Sequence, residues 1–347
     1  MALAEAPAFW WQRPGAPAWS LWPISEIWGA ASDWRMRRPP SYHADAPVLC
    51  IGNFIVGGAG KTPTAIRFAR AAAERGMKPG FLSRGFGGRI RGPVEVDRRK
   101  HNADDVGDEA LLLASHATTV VSVARPTGAH MLTSLGCEFI VMDDGFQNPG
   151  LAKDFSLLVV DAKRGIGNGF VMPSGPLRAP LLRQLSLAHG VLVIGDAPGG
   201  DRLIRAAARS ARPLFLASIV PINADAWKNK KLFAYAAIAD PEKFFDSLAA
   251  CGAILKGRRA FGDHHRFSGE EEQELLAAAD RENARLVTTS KDMARMTGVG
   301  GAVAQLATKS QVFEIDLEFE DARMPDLVID ATIANFEERR GRLPAGG

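Results

Sequence analysis

The feature that most constrains the fold is the glycine-rich stretch VGGAGKTPT at residues 56–64. It follows a β-branched apolar run, PVLCIGNFIV at 47–56, and precedes a helix predicted over 62–76. A strand, a glycine loop and a helix in this order are typical of a phosphate-binding loop, where backbone N–H groups and the positive end of the helix face an anion. The full pattern G-x-x-x-x-G-K-[ST] has a glycine where Ile55 stands, so the sequence predicts a variant of this loop.

The loop predicts a role for its basic and hydroxyl residues. Lys61 would reach the β- and γ-phosphates of a nucleotide, and Thr62 would offer its hydroxyl to Mg²⁺. The predicted nucleotide-binding residues of the loop are Gly57, Gly58, Ala59, Gly60, Lys61, Thr62 and Pro63.

Apolar runs that alternate with helical patterns predict the fold class. Continuous apolar strands separated by helices favour a mostly parallel sheet with helices on both faces. We expect an α/β protein with a P-loop NTPase-like sheet, a smaller C-terminal α/β domain and an N-terminal amphipathic segment. The predicted divisions are 1–38 for the segment, 39–221 for the P-loop core and 222–347 for the smaller domain.

Two acidic motifs are candidates for the chemistry. FIVMDDGFQN (139–148) ends an apolar strand in Asp143 and Asp144, which indicates a carboxylate delivered to Mg²⁺, although an aspartate at a strand end also serves as a turn former. VGDEA (106–110) begins a helix with Asp108 and Glu109. Acids in a first turn commonly compensate the helix dipole, but a kinase also needs a carboxylate to accept the proton of the attacking hydroxyl.

Histidine and arginine residues supply further candidates. In FGDHHRF (261–267), Asp263 and His264 could form a proton relay, a metal site or a surface turn, and periodicity does not choose among these. Transition-state charge on phosphate calls for arginine, and the candidates on glycine- and proline-rich loops are Arg84, Arg125 and Arg178.

The tryptophans crowd the N-terminus. Six of the seven lie in the first 34 residues, directly before Arg35, Arg37 and Arg38. Charged residues and prolines interrupt every apolar stretch there, so we expect no membrane span. The segment either lies on a membrane surface or packs on the protein's own core or a second subunit.

Composition argues against nucleic-acid-binding, disulfide-rich and zinc-binding classes of protein. A net charge of +3 and a pI near 8.8 are too mild to predict nucleic-acid binding. The three cysteines lie far apart and predict neither a disulfide framework nor a zinc site. No obligate protein partner is expected.

Seven motifs in this order resemble the tetraacyldisaccharide 4′-kinases of lipid A biosynthesis. They are IGNFIVGGAGKTPT, LSRGFGG, GDEALLLA, VMDDGFQNPGLAKDFSLLVVDA, GNGFVMPSGPLRAPL, DHHRF and TTSKDMARM, within residues 51–296. The resemblance implies transfer of the ATP γ-phosphate to the 4′-hydroxyl of a tetraacyldisaccharide 1-phosphate, giving lipid IVA. It also implies a peripheral or monotopic protein at the cytoplasmic face of the bacterial inner membrane, with the lipid A precursor disaccharide and the membrane surface as partners.

The resemblance implies a role for each matched residue. Asp108 would be the base and His264 its partner, and the two domains would have to close to bring them together. The predicted catalytic residues are Asp108, His264, Lys61 and Arg178, the predicted metal ligands are Thr62, Glu109, Asp143 and Asp144, and Arg125 and Gln147 are predicted to bind the nucleotide. The family has an acidic residue after the arginine of GPLR, where this chain has Ala179.

Two other classes of protein remain as alternatives. A GTPase switch normally carries N-K-x-D, and neither NKKL (229–232) nor SKD (290–292) provides it. A partitioning ATPase needs a lysine where Val56 stands. A membrane scaffold with a vestigial nucleotide site would tolerate loss of Asp108 and Asp143.

Overall fold

The computed structural model describes residues 6–57, 60–296 and 303–342, so Gly58 and Ala59 of the predicted loop lie outside the described residues. The strands are β1 (Val48–Asn53), β2 (Pro79–Ser83), β3 (Val94–Glu95), β4 (Thr118–Val121), β5 (Phe139–Asp143), β6 (Phe155–Asp161), β7 (Gly190–Ile194), β8 (Leu214–Pro221), β9 (Lys231–Ala236), β10 (Ile254–Ala260), β11 (Arg285–Thr289), β12 (Gln311–Phe313) and β13 (Ile315–Phe319). The α-helices are α1 (Ala16–Met36), α2 (Lys61–Glu74), α3 (Ala103–Val106), α4 (Asp108–Leu113), α5 (Arg125–Ser134), α6 (Leu181–Leu187), α7 (Asp201–Arg209), α8 (Pro241–Ala250), α9 (Gly269–Arg281), α10 (Ser290–Met296), α11 (Ala304–Lys309) and α12 (Met324–Arg342).

The chain divides into two compact units, each built from separate stretches of sequence. Unit 1 comprises Met1–Arg84, Ser122–Ile219 and Leu317–Gly347, and unit 2 comprises Gly85–Val121 and Val220–Asp316. The predicted divisions at 38/39 and 221/222 stay predictions.

Unit 1 contains a mostly parallel sheet, which confirms the predicted fold class. Its strand order is β13-β8-β7-β6-β1-β5-β2, and the pairings from β8 through to β2 are parallel. Every residue of β1, β5, β6 and β7 is buried, as expected for strands covered on both faces.

The register of this sheet positions two motifs, the phosphate-binding loop after β1 and the acidic motif at the end of β5. β1 pairs with β5 so that Ile51 is opposite Asp143. The loops that follow these two parallel strands therefore leave the same edge of the sheet next to each other. Ligands of open α/β sheets bind at this carboxyl edge.

Unit 2 contains a four-stranded parallel sheet in the order β10-β9-β11-β12. Alternate residues of β9 enter different clusters, with Leu232 and Ala234 packed beside α8 and Tyr235 packed beside α9. A third cluster joins α4 to α10 through Leu111 and Ala294. The first turn of α4 is thereby held next to α10.

Helix α1 has small residues on its buried side and large apolar residues in solvent. Ala18, Ser25 and Gly29 are buried. The exposed large apolar residues of α1 are Trp19, Trp22, Ile24, Ile27, Trp28 and Trp34, and Ile27 is 73% exposed. None of the described helices is long and apolar enough to cross a membrane.

Candidate active site

The phosphate loop of unit 1 ends at a glycine that no other residue could replace without strain. Gly60 has φ +91°, and a Cβ added there would lie 2.5 Å from Ile194 Cδ1. Gly57 also has a positive φ of +68°, but no atom of the described residues lies within 4 Å of a Cβ at that position. Because Gly60 caps α2, the buried residues Lys61 and Thr62, followed by Pro63, form the first turn of that helix.

The residues before the loop are bonded to the segment that carries Arg178. Val56 N donates to Pro176 O at 2.9 Å, and Arg178 N donates to Phe54 O at 2.9 Å. The Arg178 side chain adds a hydrogen bond from Nε to Ile55 O at 3.0 Å. The GPLR motif therefore fixes the entry to the phosphate loop.

The Arg178 guanidinium also binds Asp144 in a bidentate ion pair. Nη1 lies 2.7 Å from Oδ1 and Nη2 lies 3.0 Å from Oδ2. Burial alone would raise the pKa of Asp144, but the positive charges of Lys61 and Arg178 outweigh it and lower the pKa to about 2. Asp144 therefore carries a full negative charge between two cations of the site.

Gln147 ties the acidic turn to the end of β1. Its Nε2 donates to Asn53 O at 3.0 Å and to Gln184 Oε1 at 3.2 Å. Its Oε1 accepts from Arg178 Nη1 at 3.2 Å. Here Gln147 organises the protein side of the site, and its contact with the nucleotide stays a prediction.

Arg125 lies below the acidic turn rather than on the surface. It is 2% exposed, and its Nη2 donates to the carbonyl oxygens of Asp143 and Asp144 at 3.3 and 3.4 Å. Burial lowers the pKa of Arg125. The guanidinium supports the turn, and its predicted contact with phosphate stays a prediction.

In unit 2 the predicted base and its partner are in contact. His264 Nδ1 lies 2.9 Å from Asp108 Oδ2, although the two residues are 156 positions apart. Asp108 is the first residue of α4, and its Oδ1 accepts from Glu109 N at 2.9 Å. Both residues belong to unit 2, so the expectation that domain closure brings them together is wrong. The expectation arose because the predicted divisions at 38/39 and 221/222 place Asp108 and His264 in different domains.

The contact shifts the pKa of both partners. Burial alone would raise the pKa of Asp108, but the hydrogen bond with His264 and the charge of Arg295 hold that pKa well below its ordinary value. The same hydrogen bond raises the pKa of His264. The contact therefore favours a charged Asp108 carboxylate together with a protonated His264 ring.

Three residues around this pair were missed as candidates from the sequence. Arg295 Nη2 lies 2.7 Å from Asp108 Oδ2, and Arg295 also binds Asp292. Lys291 Nζ lies 2.8 Å from Glu109 Oε1. Burial alone would lower the pKa of Lys291, but the negative charge of Glu109 raises it overall. All three lie in the motif TTSKDMARM (288–296), which is the sequence signal that could have indicated them.

The residues of unit 1 suit a magnesium ion bound together with phosphate. Among residues 6–57, 60–296 and 303–342, no group of three or more His, Cys, Asp or Glu side chains is arranged to hold a metal. Mg²⁺ is usually held by one or two carboxylates with substrate phosphates and water, and it prefers hard oxygen donors. The hydroxyl of Thr62 and the carboxylates of Asp143 and Asp144 fit that chemistry, while Glu109 lies in unit 2. All four metal roles stay predictions.

The structure thus brings the predicted residues together as two groups. Unit 1 holds Gly57, Gly60, Lys61, Thr62, Pro63, Arg125, Asp143, Asp144, Gln147 and Arg178, and unit 2 holds Asp108, Glu109 and His264. Ala179, which stands where the family has an acid, is fully buried, and its carbonyl accepts from Gln184 Nε2 at 2.8 Å.

Comparison with known proteins identifies related sequences and a related fold. The profile of a family described as tetraacyldisaccharide-1-P 4′-kinase matches residues 17–333. The tetraacyldisaccharide 4′-kinase of Agrobacterium fabrum is 48% identical over 337 residues, covering 97% of both chains. The enzyme of the same name from Rhizobium meliloti is 47% identical over 345 residues, covering 99% of this chain and 100% of its own.

A solved structure shares the fold. The crystal structure of LpxK from Aquifex aeolicus, described as an "apo" form in complex with ATP, aligns with a TM-score of 0.68. It is 22% identical, and the alignment covers 91% of this chain and 99% of that one.

Proposed function

The chain belongs to the tetraacyldisaccharide-1-P 4′-kinase family, and we propose that it transfers the γ-phosphate of ATP to the 4′-hydroxyl of a tetraacyldisaccharide 1-phosphate. The product would be lipid IVA, an intermediate of lipid A biosynthesis. Besides family membership, the contact of Asp108 with His264 supports this proposal. A kinase that phosphorylates a sugar hydroxyl needs a group that takes up the proton of that hydroxyl.

The proposed step is an in-line displacement. The 4′-oxygen forms a bond to the γ-phosphorus, the bond from that phosphorus to the bridging oxygen of ADP breaks, and ADP leaves with the bonding electron pair. The proton of the hydroxyl passes to the pair of Asp108 and His264. Lys61 and Arg178 lie beside Asp144 at the phosphate loop, where their positive charges would stabilise charge on the transferring group.

A magnesium ion would bind with the nucleotide at the acidic turn. Thr62, Asp143 and Asp144 are the unit 1 residues that would hold it. Bound Mg²⁺ neutralises charge on the β- and γ-phosphates. Arg178 fixes one of the two carboxylates through the bidentate pair with Asp144.

Helix α1 would dock the protein on the membrane that contains its lipid substrate. Its exposed tryptophans and isoleucines form an apolar surface without a covering element among the described residues. Arg38 lies 3.9 Å over the Trp34 ring, which adds a cation at the end of the same helix. Tryptophan favours the headgroup region, and flanking arginines favour anionic lipid. We place the protein peripherally on the cytoplasmic face of the inner membrane.

The kinase assay tests the chemistry. Purified protein is incubated with γ-labelled ATP, Mg²⁺ and tetraacyldisaccharide 1-phosphate in mixed micelles. We expect label in the lipid with the wild-type protein and none with Lys61→Ala. Asp108→Ala and His264→Ala should lower kcat far more than the KM for ATP, because the phosphate loop lies in unit 1.

His265→Gln is the matched control for His264. His265 is the next residue, and its Nε2 contacts Glu271 Oε1 at 2.9 Å rather than Asp108. It should keep wild-type turnover. Release of labelled phosphate without any label in the lipid would contradict the proposal. It would favour the alternative of a GTPase switch or a partitioning ATPase.

Vesicle binding tests the membrane role. Ile27→Ser and Trp28→Ser should reduce sedimentation with phosphatidylglycerol vesicles, whereas Leu327→Ser should not, although Leu327 on α12 is 51% exposed and Trp28 is 50% exposed. If all three variants sediment with the vesicles to the same extent, α1 is not the docking surface.

A further inference from the structure

Arg295 of α10 binds the same carboxylate oxygen as the predicted partner of the base. Its Nη2 lies 2.7 Å from Asp108 Oδ2, the oxygen that lies 2.9 Å from His264 Nδ1. Arg295 is only 6% exposed. The guanidinium therefore acts on Asp108 in a site with little water, where a charged hydrogen bond is strong.

The other side of the guanidinium is fixed by groups that do not touch Asp108. Nη1 donates to Asp292 Oδ1 at 2.7 Å, to His265 O at 3.2 Å and to Ala237 O at 3.3 Å. Arg295 is thus held at four points and has little freedom to turn away from Asp108.

Asp292 is itself immobilised from two directions. Its Oδ2 accepts from Thr289 Oγ1 at 2.7 Å, and both of its oxygens lie 3.2 Å from Ala237 N. The chain of contacts therefore runs from the end of β9 through Asp292 and Arg295 to Asp108. Because every group in it is buried, the arrangement is set by the packed core of unit 2.

Ala237 also orients the histidine. His264 N donates to Ala237 O at 3.2 Å, and His264 has a positive φ of +60°, which is uncommon for a residue other than glycine. One carbonyl thus contacts both Arg295 and His264. The relative position of the two groups that meet Asp108 Oδ2 is fixed by that shared contact.

We propose that Arg295 is a positioning residue for phosphoryl transfer, which holds the Asp108 carboxylate with Oδ2 directed at His264. The inference rests on the proposed function, in which this pair receives the proton of the acceptor hydroxyl. Without Arg295 the carboxylate would keep the bond from Glu109 N to Oδ1 and the contact of Oδ2 with His264, but it would lose the buried cation that holds Oδ2 in place. Displacement of a catalytic group by about 1 Å commonly costs about 10²-fold in rate.

A purely structural ion pair is the alternative role for Arg295. Such a pair would affect the amount of folded protein and leave the turnover of the folded fraction unchanged. The experiment must therefore measure kcat per folded molecule and stability separately.

The test uses Arg295→Ala and Arg295→Lys in the lipid kinase assay, with folded protein measured by circular dichroism. We expect kcat to fall about 10²-fold in Arg295→Ala, with an unchanged KM for ATP. Arg295→Lys should be intermediate, because one ammonium group cannot reproduce a planar fork that reaches both Asp108 and Asp292. Guanidinium ion at non-denaturing concentration should restore part of the kcat of Arg295→Ala, and sodium chloride at equal ionic strength should not.

Arg339→Ala is the matched control. Arg339 Nε lies 2.7 Å from Asp154 Oδ1 in unit 1, so this variant removes a comparable arginine–aspartate pair away from Asp108. It should lower the melting temperature and keep wild-type kcat. Arg295→Ala with wild-type kcat per folded molecule, or with a lowered kcat that guanidinium fails to raise, would overturn the positioning role. A wild-type protein that puts no label in the lipid would instead refute the proposed function itself.

Discussion

Arg178 binds Asp144 through two parallel hydrogen bonds, from Nη1 to Oδ1 at 2.7 Å and from Nη2 to Oδ2 at 3.0 Å. The same arginine donates through Nε to Ile55 O before the phosphate loop. One side chain therefore links the loop that would hold the nucleotide to the carboxylate that would face its metal. The pKa of Asp144, which is about 2, keeps that carboxylate charged throughout the neutral range.

Arg178→Lys should lower kcat by about 10²-fold, because a lysine supplies a single charge and cannot bind both oxygens of Asp144. Steady-state kinetics with the lipid acceptor measures the effect. Arg209→Lys, at an exposed position on α7 in the same unit, is the control and should match the wild type. Wild-type kcat in Arg178→Lys would show that the fork is not needed.

His264 should make the stability of the protein depend on pH. The hydrogen bond with Asp108 raises its pKa, the charge of Asp263 adds to this effect, and burial and Lys291 oppose it. A raised folded pKa contributes stability that is fully present below the unfolded value, and this contribution is lost as the pH rises through the folded value. The melting temperature of His264→Gln should therefore fall further below that of the wild type at pH ~6 than at pH ~9. Equal differences at the two pH values would mean that the contact does not form in solution.

The elements around the phosphate loop could be predicted because their determinants are local. β1, α2 and β5 lie within a few residues of the predicted bounds, since each is a continuous apolar run or a helix that begins at a glycine. β10 was not predicted. Its exposed and half-buried residues alternate and include Lys256, Arg258 and Arg259, so it lacks the apolar run of a buried strand.

The surroundings of Asp108 could not be predicted from periodicity. Residues 85–121 belong to unit 2 together with residues 220–316, and no local pattern encodes that pairing of distant stretches. Arg295 looks like a solvent-facing residue in the sequence, because arginine is rarely buried. Its burial is explained by the ion pairs with Asp108 and Asp292 and by its bonds to the carbonyl oxygens of Ala237 and His265.

The glycines of the phosphate loop should differ in their tolerance of alanine. Gly60→Ala combines a positive φ, which costs about 1–2 kcal/mol, with a Cβ 2.5 Å from Ile194 Cδ1. Gly57→Ala carries the conformational cost without this crowding, because no atom in the described part of the chain lies within 4 Å of its Cβ. Gly60→Ala should therefore lower both the melting temperature and the affinity for ATP more than Gly57→Ala does. Calorimetry and nucleotide titration check this, and equal losses would contradict the crowding at Ile194.

Asn53, the last residue of β1, should lower the stability of the nucleotide-free protein. Its side chain is fully buried, and neither Oδ1 nor Nδ2 has a hydrogen-bond partner among the described residues. Val159 is its register partner and would lie 3.2 Å from a Cβ at Gly60, which places Asn53 on the face of the sheet next to the phosphate loop. A buried amide without a partner costs about 1–3 kcal/mol. We expect it to gain partners when a nucleotide phosphate binds.

Asn53→Val should therefore keep or raise the melting temperature without ligand and reduce the increase that ATP produces. Ile51→Val is the control on the same face of β1, and it should lower the melting temperature through loss of about 0.5–1.5 kcal/mol while keeping the ATP-dependent increase. Thermal melts of the three proteins with and without ATP and Mg²⁺ distinguish the two effects. If Asn53→Val is less stable than Ile51→Val and gains as much from ATP as the wild type, the amide is a structural residue with no part in nucleotide binding.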